Sequence, residues 1–305
     1  MKPKIFIDGQ EGTTGLQIHD RLADRADIEI LHIDESSRKD INERKRLINL
    51  ADLVYLCLPD EAAKESVSLL ENNTTRIIDA STAHRTHPDW VYGFAELSKN
   101  QCEKIKAAKK VANPGCHATG IIASVYPLIE LEIMQKDYPL TCLSLTGYSG
   151  GGKSMIKAYE NEKTPDMFAP KMYGLDLNHK HLPEIMQVTG LTRTPIFCPI
   201  VDDYYCGMAT TITIHNDKLI GTQTAESLRR SLFDYYSGED YITVAPELGS
   251  GLLESNWGVG TDCMELIVSG NDNQTLITAR FDNLGKGAAG AAVQNMDIML
   301  GMGQK

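Results

Sequence analysis

Lys4-Ile5-Phe6-Ile7-Asp8-Gly9-Gln10-Glu11-Gly12-Thr13-Thr14-Gly15-Leu16 is the stretch on which the fold turns. A short apolar run over 5–8 breaks at once into glycines spaced GxxGxxG, and a helical pattern follows over 16–22. A strand that passes through such a turn into a helix brings backbone amides close together. There a pyrophosphate is held by unpaired N–H groups and by the positive end of the helix dipole. The spacing alone is weak, because glycine turns between strand and helix also occur without a ligand. The strand before, the helix after and the N-terminal position favour a dinucleotide, with Gly9, Gly12, Thr13, Thr14 and Gly15 as its candidate contacts.

Outward from this turn the alternation continues. Strand-like runs at 28–34, 53–58 and 77–80 are interleaved with helical patterns at 41–50 and 61–70, the mark of a parallel, doubly wound sheet. The end of the second strand decides the cofactor, since an acid there binds the ribose 2′-hydroxyl of NAD and hydroxyls or cations accept the 2′-phosphate of NADP. The segment reads Asp34-Glu35-Ser36-Ser37-Arg38-Lys39. Asp34 points to NAD; Ser36, Ser37 and Arg38 point to NADP, and the reading leans to NADP.

Past Lys110-Val111-Ala112 a helix is expected over 118–131, and the pattern then changes to strands at 140–146, 209–215, 263–269 and 275–281. The last two flank Gly270-Asn271-Asp272-Asn273, which suits the turn of an antiparallel hairpin. From Gly285 the chain turns helical again, with small apolar residues on one face. The expected class is α/β: a Rossmann-type nucleotide domain, 1–116 with 284–305, and an α+β catalytic and oligomerisation domain with a mainly antiparallel sheet, 117–283.

Asn113-Pro114-Gly115-Cys116-His117-Ala118-Thr119-Gly120 is the sharpest chemical feature. It sets Cys116 at a helix start, where unpaired amides and the dipole favour a thiolate and can hold an oxyanion. The other six cysteines lie without CxxC or CxxH spacing and read as small core residues. His117 is adjacent to the thiol, but consecutive helical residues point in different directions. Asn178-His179-Lys180-His181-Leu182-Pro183-Glu184-Ile185 offers a better base: an imidazole for proton exchange, with Glu184 to orient it or a substrate group. A solvated loop is the competing reading; a metal site is disfavoured because no third ligand has recognisable spacing.

Bulk composition narrows the class. The chain is 42% apolar and 23% charged, within the globular range, and its formal net charge of -11 disfavours nucleic acid and anionic membrane. No stretch approaches the ~18 apolar residues of a membrane span, and the start lacks a secretory pattern, so a cytoplasmic protein is expected.

Taken in order, the glycine turn after Asp8, Cys57-Leu58-Pro59-Asp60, Asp79-Ala80-Ser81-Thr82-Ala83-His84-Arg85, the cysteine turn, the His179–Glu184 string and Asp282-Asn283-Leu284-Gly285-Lys286-Gly287-Ala288-Ala289-Gly290 resemble the N-acetyl-gamma-glutamyl-phosphate reductase family, relatives of aspartate-semialdehyde dehydrogenase, and particularly its shorter form. The match spans nearly the whole chain. The resemblance implies NADP-dependent reduction of a small acyl phosphate through a thioester on Cys116, with His181 as acid/base and no metal. It implies further that Pro59 lies in the cofactor site, that Asn113 and the turn Ser149-Gly150-Gly151-Gly152-Lys153 meet the substrate, and that the protein is a homo-oligomer, a dimer or tetramer. Longer members have arginine where this chain has Lys153 and an aromatic residue where it has His117. Two rivals stay open: another acyl-phosphate reductase such as aspartate-semialdehyde dehydrogenase, and a non-catalytic NADP-binding redox sensor with Cys116 as its switch.

Overall fold

Ile5, Phe6 and Ile7 are at most 2% exposed, and the strand they form, β1 (Lys4–Asp8), lies inside a six-stranded sheet. The computed structural model describes residues 2–246 and 251–303. They divide into two units, Met1–Pro114 with Ala288–Lys305, and Gly115–Gly287.

The first unit runs β1, α1 (Thr13–Ala23), β2 (Glu29–Leu31), α2 (Ile41–Leu50), β3 (Leu53–Leu56), α3 (Asp60–Ser68), β4 (Arg76–Asp79), β5 (Val91–Tyr92), α4 (Gln101–Ala107) and β6 (Lys110–Ala112). Its strand order is β2-β1-β3-β4-β6-β5, and every neighbouring pair is parallel. Leu53, Val54, Tyr55 and Leu56 are all fully buried, as expected of a strand covered on both faces. Side chains alternate between those faces. Ile5, Ile7 and Tyr55 pack with Ile18 and Leu22 of α1 and with Ala292 and Met296 of the last helix, Gly290–Leu300. Phe6, Val54 and Leu56 pack with Leu47 and Ile48 of α2 and Ala63 of α3. The sheet is thus doubly wound. Only β2 falls clearly short of the 28–34 run: it pairs with β1 alone, and Glu35–Ser37 already winds into a 3-10 turn.

The second unit comprises α5 (Cys116–Glu130), β7 (Thr141–Gly147), α6 (Gly152–Asn161), β8 (Lys171–Met172), α7 (Leu182–Thr189), β9 (Ile196–Asp202), β10 (Met208–His215), α8 (Ala225–Tyr235), β11 (Ile242–Val244), β12 (Met264–Gly270) and β13 (Gln274–Phe281). The order is β11-β12-β13-β10-β7-β9-β8, antiparallel except for β11 with β12 and β7 with β9. The β12–β13 hairpin closes as expected: Asn271 Oδ1 accepts from the Asn273 and Gln274 amides. Helix α5 packs on β10 and β13. It comes so close that a Cβ on Gly120 would stand 2.8 Å from Thr210 Cβ, which fixes the height of the helix and of the cysteine that begins it. Among the described residues no helix is long and apolar enough to cross a membrane.

Candidate active site

Cys116 is the first residue of α5. Gly115 is the N-cap, extended at φ -78° and ψ 145°, and its carbonyl accepts from the Thr119 amide at 2.9 Å. No side chain caps this end. The thiol is half-buried, at a position whose field favours the thiolate. From the other side Gly287 presses on it: a Cβ at 287 would lie 3.0 Å from Cys116 Cβ and 3.2 Å from the Phe281 ring. Gly287 belongs to Gly285–Ala289, a π-helical turn rather than the α-helical start expected there, and such wide turns are frequent at functional sites.

Glu184, in the first turn of α7, is 1% exposed. Its Oε2 accepts from the Gly115 amide at 3.2 Å, and its Oε1 lies 3.9 Å from His181 Nε2. The carboxylate therefore connects the residue before the cysteine to the buried imidazole of His181. His179 Nδ1 accepts from the His181 amide at 3.2 Å. Burial, helped by Lys180, pushes His179 down to about 4, so it is neutral near pH 7 and serves to hold the His181 backbone. Both ring nitrogens of His117 are engaged: Nδ1 is 2.7 Å from Ser144 Oγ and Nε2 is 2.8 Å from Tyr173 Oη. Burial, then His179 and Lys180, push it to about 3, so it carries no charge at working pH. The three imidazoles cluster with ring centroids 4.8 to 5.7 Å apart. Burial also pushes up the thiols of Cys57, Cys142 and Cys206, the last to about 11, which suits inert core residues.

Ser149 is 1% exposed; its Oγ accepts from Asn283 Nδ2 at 3.0 Å, while Asn283 Oδ1 accepts from the Gly207 amide. Its hydroxyl thus fixes the shape of the glycine turn. Gly150 has ordinary space around it, with Thr146 Oγ1 at 3.4 Å from a would-be Cβ, and Lys153 lies in the first turn of α6.

In the first unit the glycine turn has the form of an anion cradle. Gly9 has φ +91°, and the Gly12 amide donates to its carbonyl at 3.0 Å. Gly12 is the N-cap of α1, with no side-chain cap and no acid in the first turn, where Thr13, Thr14 and Gly15 follow. The glycines differ in their reasons. A Cβ on Gly9 would collide with the Cys57 carbonyl and one on Gly15 with the Gly9 carbonyl, whereas a Cβ on Gly12 would meet nothing closer than 3.4 Å. Packing within the protein does not require glycine at 12, whereas a pyrophosphate approaching the helix end would. Gly12→Ala should therefore keep the wild-type Tm yet weaken NADP binding roughly tenfold or more, about 1.4 kcal/mol, whereas Gly15→Ala should lower both. Titration calorimetry beside a melting curve checks this; unchanged binding by Gly12→Ala would remove the cofactor from the turn.

Beneath the turn Asp8 is buried with Arg44, Nη2 to Oδ2 at 3.0 Å, and with Ser66 Oγ at 2.7 Å. Ser36 lies in the 3-10 turn Glu35–Ser37, which the Ser37 amide closes by donating to the Asp34 carbonyl. Arg38 follows that turn, part-exposed and 3.9 Å from Glu35. Pro59 is the N-cap of α3. Asn113 is buried with its amide engaged at both ends, donating to the Ala288 carbonyl and accepting from Asn295 Nδ2 at 3.1 Å. Sequence reasoning missed Tyr173, Ser144 and Thr210, and it read Asn283 and Gly287 only as part of the Asp282–Gly290 string, with no role for either. Gly287 carried a further signal, as a glycine inside a helical pattern.

Two family models match the chain: the semialdehyde dehydrogenase NAD binding domain over residues 4–105 and the semialdehyde dehydrogenase dimerisation domain over 116–283. Similar proteins named N-acetyl-gamma-glutamyl-phosphate reductase come from Brucella anthropi, 48% identical over 99% of both chains, and Sinorhizobium medicae, 48% identical over 98% of this chain and 99% of that one. Among solved structures, aspartate semialdehyde dehydrogenase II of Vibrio cholerae superposes with a TM-score of 0.76 at 14% identity, covering 98% of each chain. Aspartate semialdehyde dehydrogenase of Francisella tularensis gives 0.71 at 13% identity, covering 97% of this chain and 99% of that one. At such low identity these structures speak for the fold.

Proposed function

The chain belongs to the semialdehyde dehydrogenase family, among its N-acetyl-gamma-glutamyl-phosphate reductases, and from that premise we propose how its residues perform the NADPH-dependent conversion of N-acetyl-gamma-glutamyl phosphate to N-acetylglutamate semialdehyde in arginine biosynthesis. The observation that carries the assignment of residues is Glu184, held between the Gly115 amide and His181 next to the thiol at the start of α5.

The Cys116 thiolate attacks the acyl-phosphate carbonyl; the carbon–sulfur bond forms, the carbon–oxygen bond to phosphate breaks, and phosphate departs from a thioester. The glycine turn at 149–152 and Lys153 receive the anionic substrate groups, and Asn113 keeps the cysteine turn in place. Gly9, Gly12, Thr13, Thr14, Gly15 and Pro59 would hold NADPH, with Ser36 and Arg38 at its 2′-phosphate, and the bound nucleotide would supply the hydride that reduces the thioester. His181 then handles the proton as the thiohemiacetal collapses to aldehyde and thiolate. Glu184 orients that imidazole and stabilises its charged form while the proton resides there. We assign the nucleotide domain to 1–116 with 284–305 and the catalytic domain to 117–283. A dimerisation domain implies an oligomer, which we take to be a dimer or tetramer, working in the cytoplasm.

The reverse reaction tests this. N-acetylglutamate semialdehyde, phosphate and NADP should give reduced nicotinamide in strict dependence on phosphate. Aspartate semialdehyde should have kcat/KM lower by roughly 10²-fold or more, because its free ammonium would be left unpaired in a site built for an amide. Equal use of both aldehydes would refute the substrate assignment; preference for NAD would refute the role of Ser36 and Arg38.

A further inference from the structure

Four side chains of the second unit form a row behind Cys116: Thr210, Ser144, His117 and Tyr173. Thr210 Oγ1 is 2.8 Å from Ser144 Oγ, Ser144 Oγ is 2.7 Å from His117 Nδ1, and His117 Nε2 is 2.8 Å from Tyr173 Oη. Thr210 and Ser144 are a cross-strand pair of β10 and β7; both are fully buried, and His117 is 3% exposed.

Counting hydrogens fixes the direction of this row. His117 is neutral, so its ring has one N–H. Thr210 Oγ1 has Ser144 Oγ as its one hydrogen-bond partner among the described residues. If its hydrogen did not go there, a buried hydroxyl would lack an acceptor, at a cost of about 1–3 kcal/mol. Thr210 therefore donates to Ser144. Ser144, whose remaining partner is His117, donates to Nδ1. The ring proton is then on Nε2 and is donated to the Tyr173 oxygen. That leaves the phenolic hydrogen with no acceptor among the described residues.

Tyr173 follows β8 and precedes the segment that carries His179 and His181; its ring centroid is 6.0 Å from that of His179. Burial and the charge of nearby Cys116 both push its phenol up, so the hydrogen stays on oxygen at working pH. A protonated phenol beside the nucleophile, with its lone pair occupied from behind, is a donor that lacks only its acceptor.

We infer that Tyr173 donates its phenolic hydrogen to the oxygen of the acyl group carried on Cys116, and that His117 is the positioning residue that aims it by keeping the Nε2–H tautomer. The inference rests on the thioester reading of the preceding section. No proton is transferred: the hydrogen bond strengthens as hydride addition places negative charge on that oxygen. It also gives a reason for histidine at 117, since an aromatic hydrocarbon there could not hold the phenol.

Nitrogen-15 NMR of histidine-labelled protein reads the tautomer without any turnover, with the His117 resonances assigned by their loss in His117→Gln. Nε2 protonated is the expected result, and Nδ1 protonated overturns the inference. In the reverse assay Tyr173→Phe should lower kcat roughly 10²-fold with KM within about twofold, the size of effect seen when one oxyanion donor is removed. His117→Phe should fall in the same direction. His117→Gln, whose amide N–H replaces the Nε2 donor, should recover at least about tenfold of that loss. Wild-type turnover with a Tyr173→Phe variant that keeps its kcat overturns the donor role alone. Absence of wild-type turnover with either aldehyde defeats the functional reading and the donor role with it.

Discussion

Cys116→Ser should lower phosphate-dependent turnover by at least about 10⁴-fold, the scale of loss when a covalent nucleophile is removed, with Tm and NADP affinity unchanged. The substitution is close to isosteric at a half-buried position, so α5 keeps its N-cap and its packing on β10 and β13. The cofactor turn belongs to the other unit, centred on Gly9 and Gly15, and feels no change. What is lost is the soft thiolate that a helix start favours; a serine hydroxyl there has no comparable ionised fraction. Mass spectrometry of enzyme quenched during turnover gives the second readout: the acyl mass should sit on the peptide containing Cys116 and be missing from the variant. Acylation of Cys57 or Cys142 instead would overturn the assignment, and burial argues against it, because it pushes both thiols up.

How much of this was legible in the sequence depended on range. The glycine turn and Cys116 are local features: a few consecutive residues set φ at Gly9, end β1 and start α1, or end β6 and start α5. The doubly wound sheet followed from apolar runs such as Leu53 to Leu56, because burial on both faces removes polar interruptions. Long-range partners left no such trace. Glu184 meets the Gly115 amide across 69 positions, and Ser144 meets Thr210 across 66. Arg44 stands in the run Arg44-Lys45-Arg46, yet it is 8% exposed and bound to Asp8 and Glu65. Strand β9 was missed because Pro199 interrupts it; it tolerates the proline since one flank pairs only with the two-residue β8. The His179 to Glu184 string looked like a loop with three functional groups, whereas Pro183 near its N-terminus starts α7, and this brings Glu184 inward.

His181→Asn should reduce kcat by about 10²–10⁴-fold, the usual contribution of a general acid–base residue, with KM nearly unchanged. Three imidazoles cluster here, His181 with His117 and His179, and the geometry distinguishes them. His117 has both nitrogens engaged and is pushed to about 3; His179 is pushed to about 4 with Nδ1 committed to the His181 amide. Neither gains a proton near neutral pH. His181 has Glu184 Oε1 3.9 Å from its Nε2, a carboxylate placed to orient the ring and to pair with it while it holds the proton. Glu184→Gln keeps the shape but removes the charge, and should lower kcat less than His181→Asn, measured across the pH–rate profile. His179→Gln should leave that profile in place between pH 5 and 9, since a group pushed to about 4 does not titrate there. If His181→Asn altered KM alone, or if His179→Gln moved the profile, the proton would have to be assigned to a different ring.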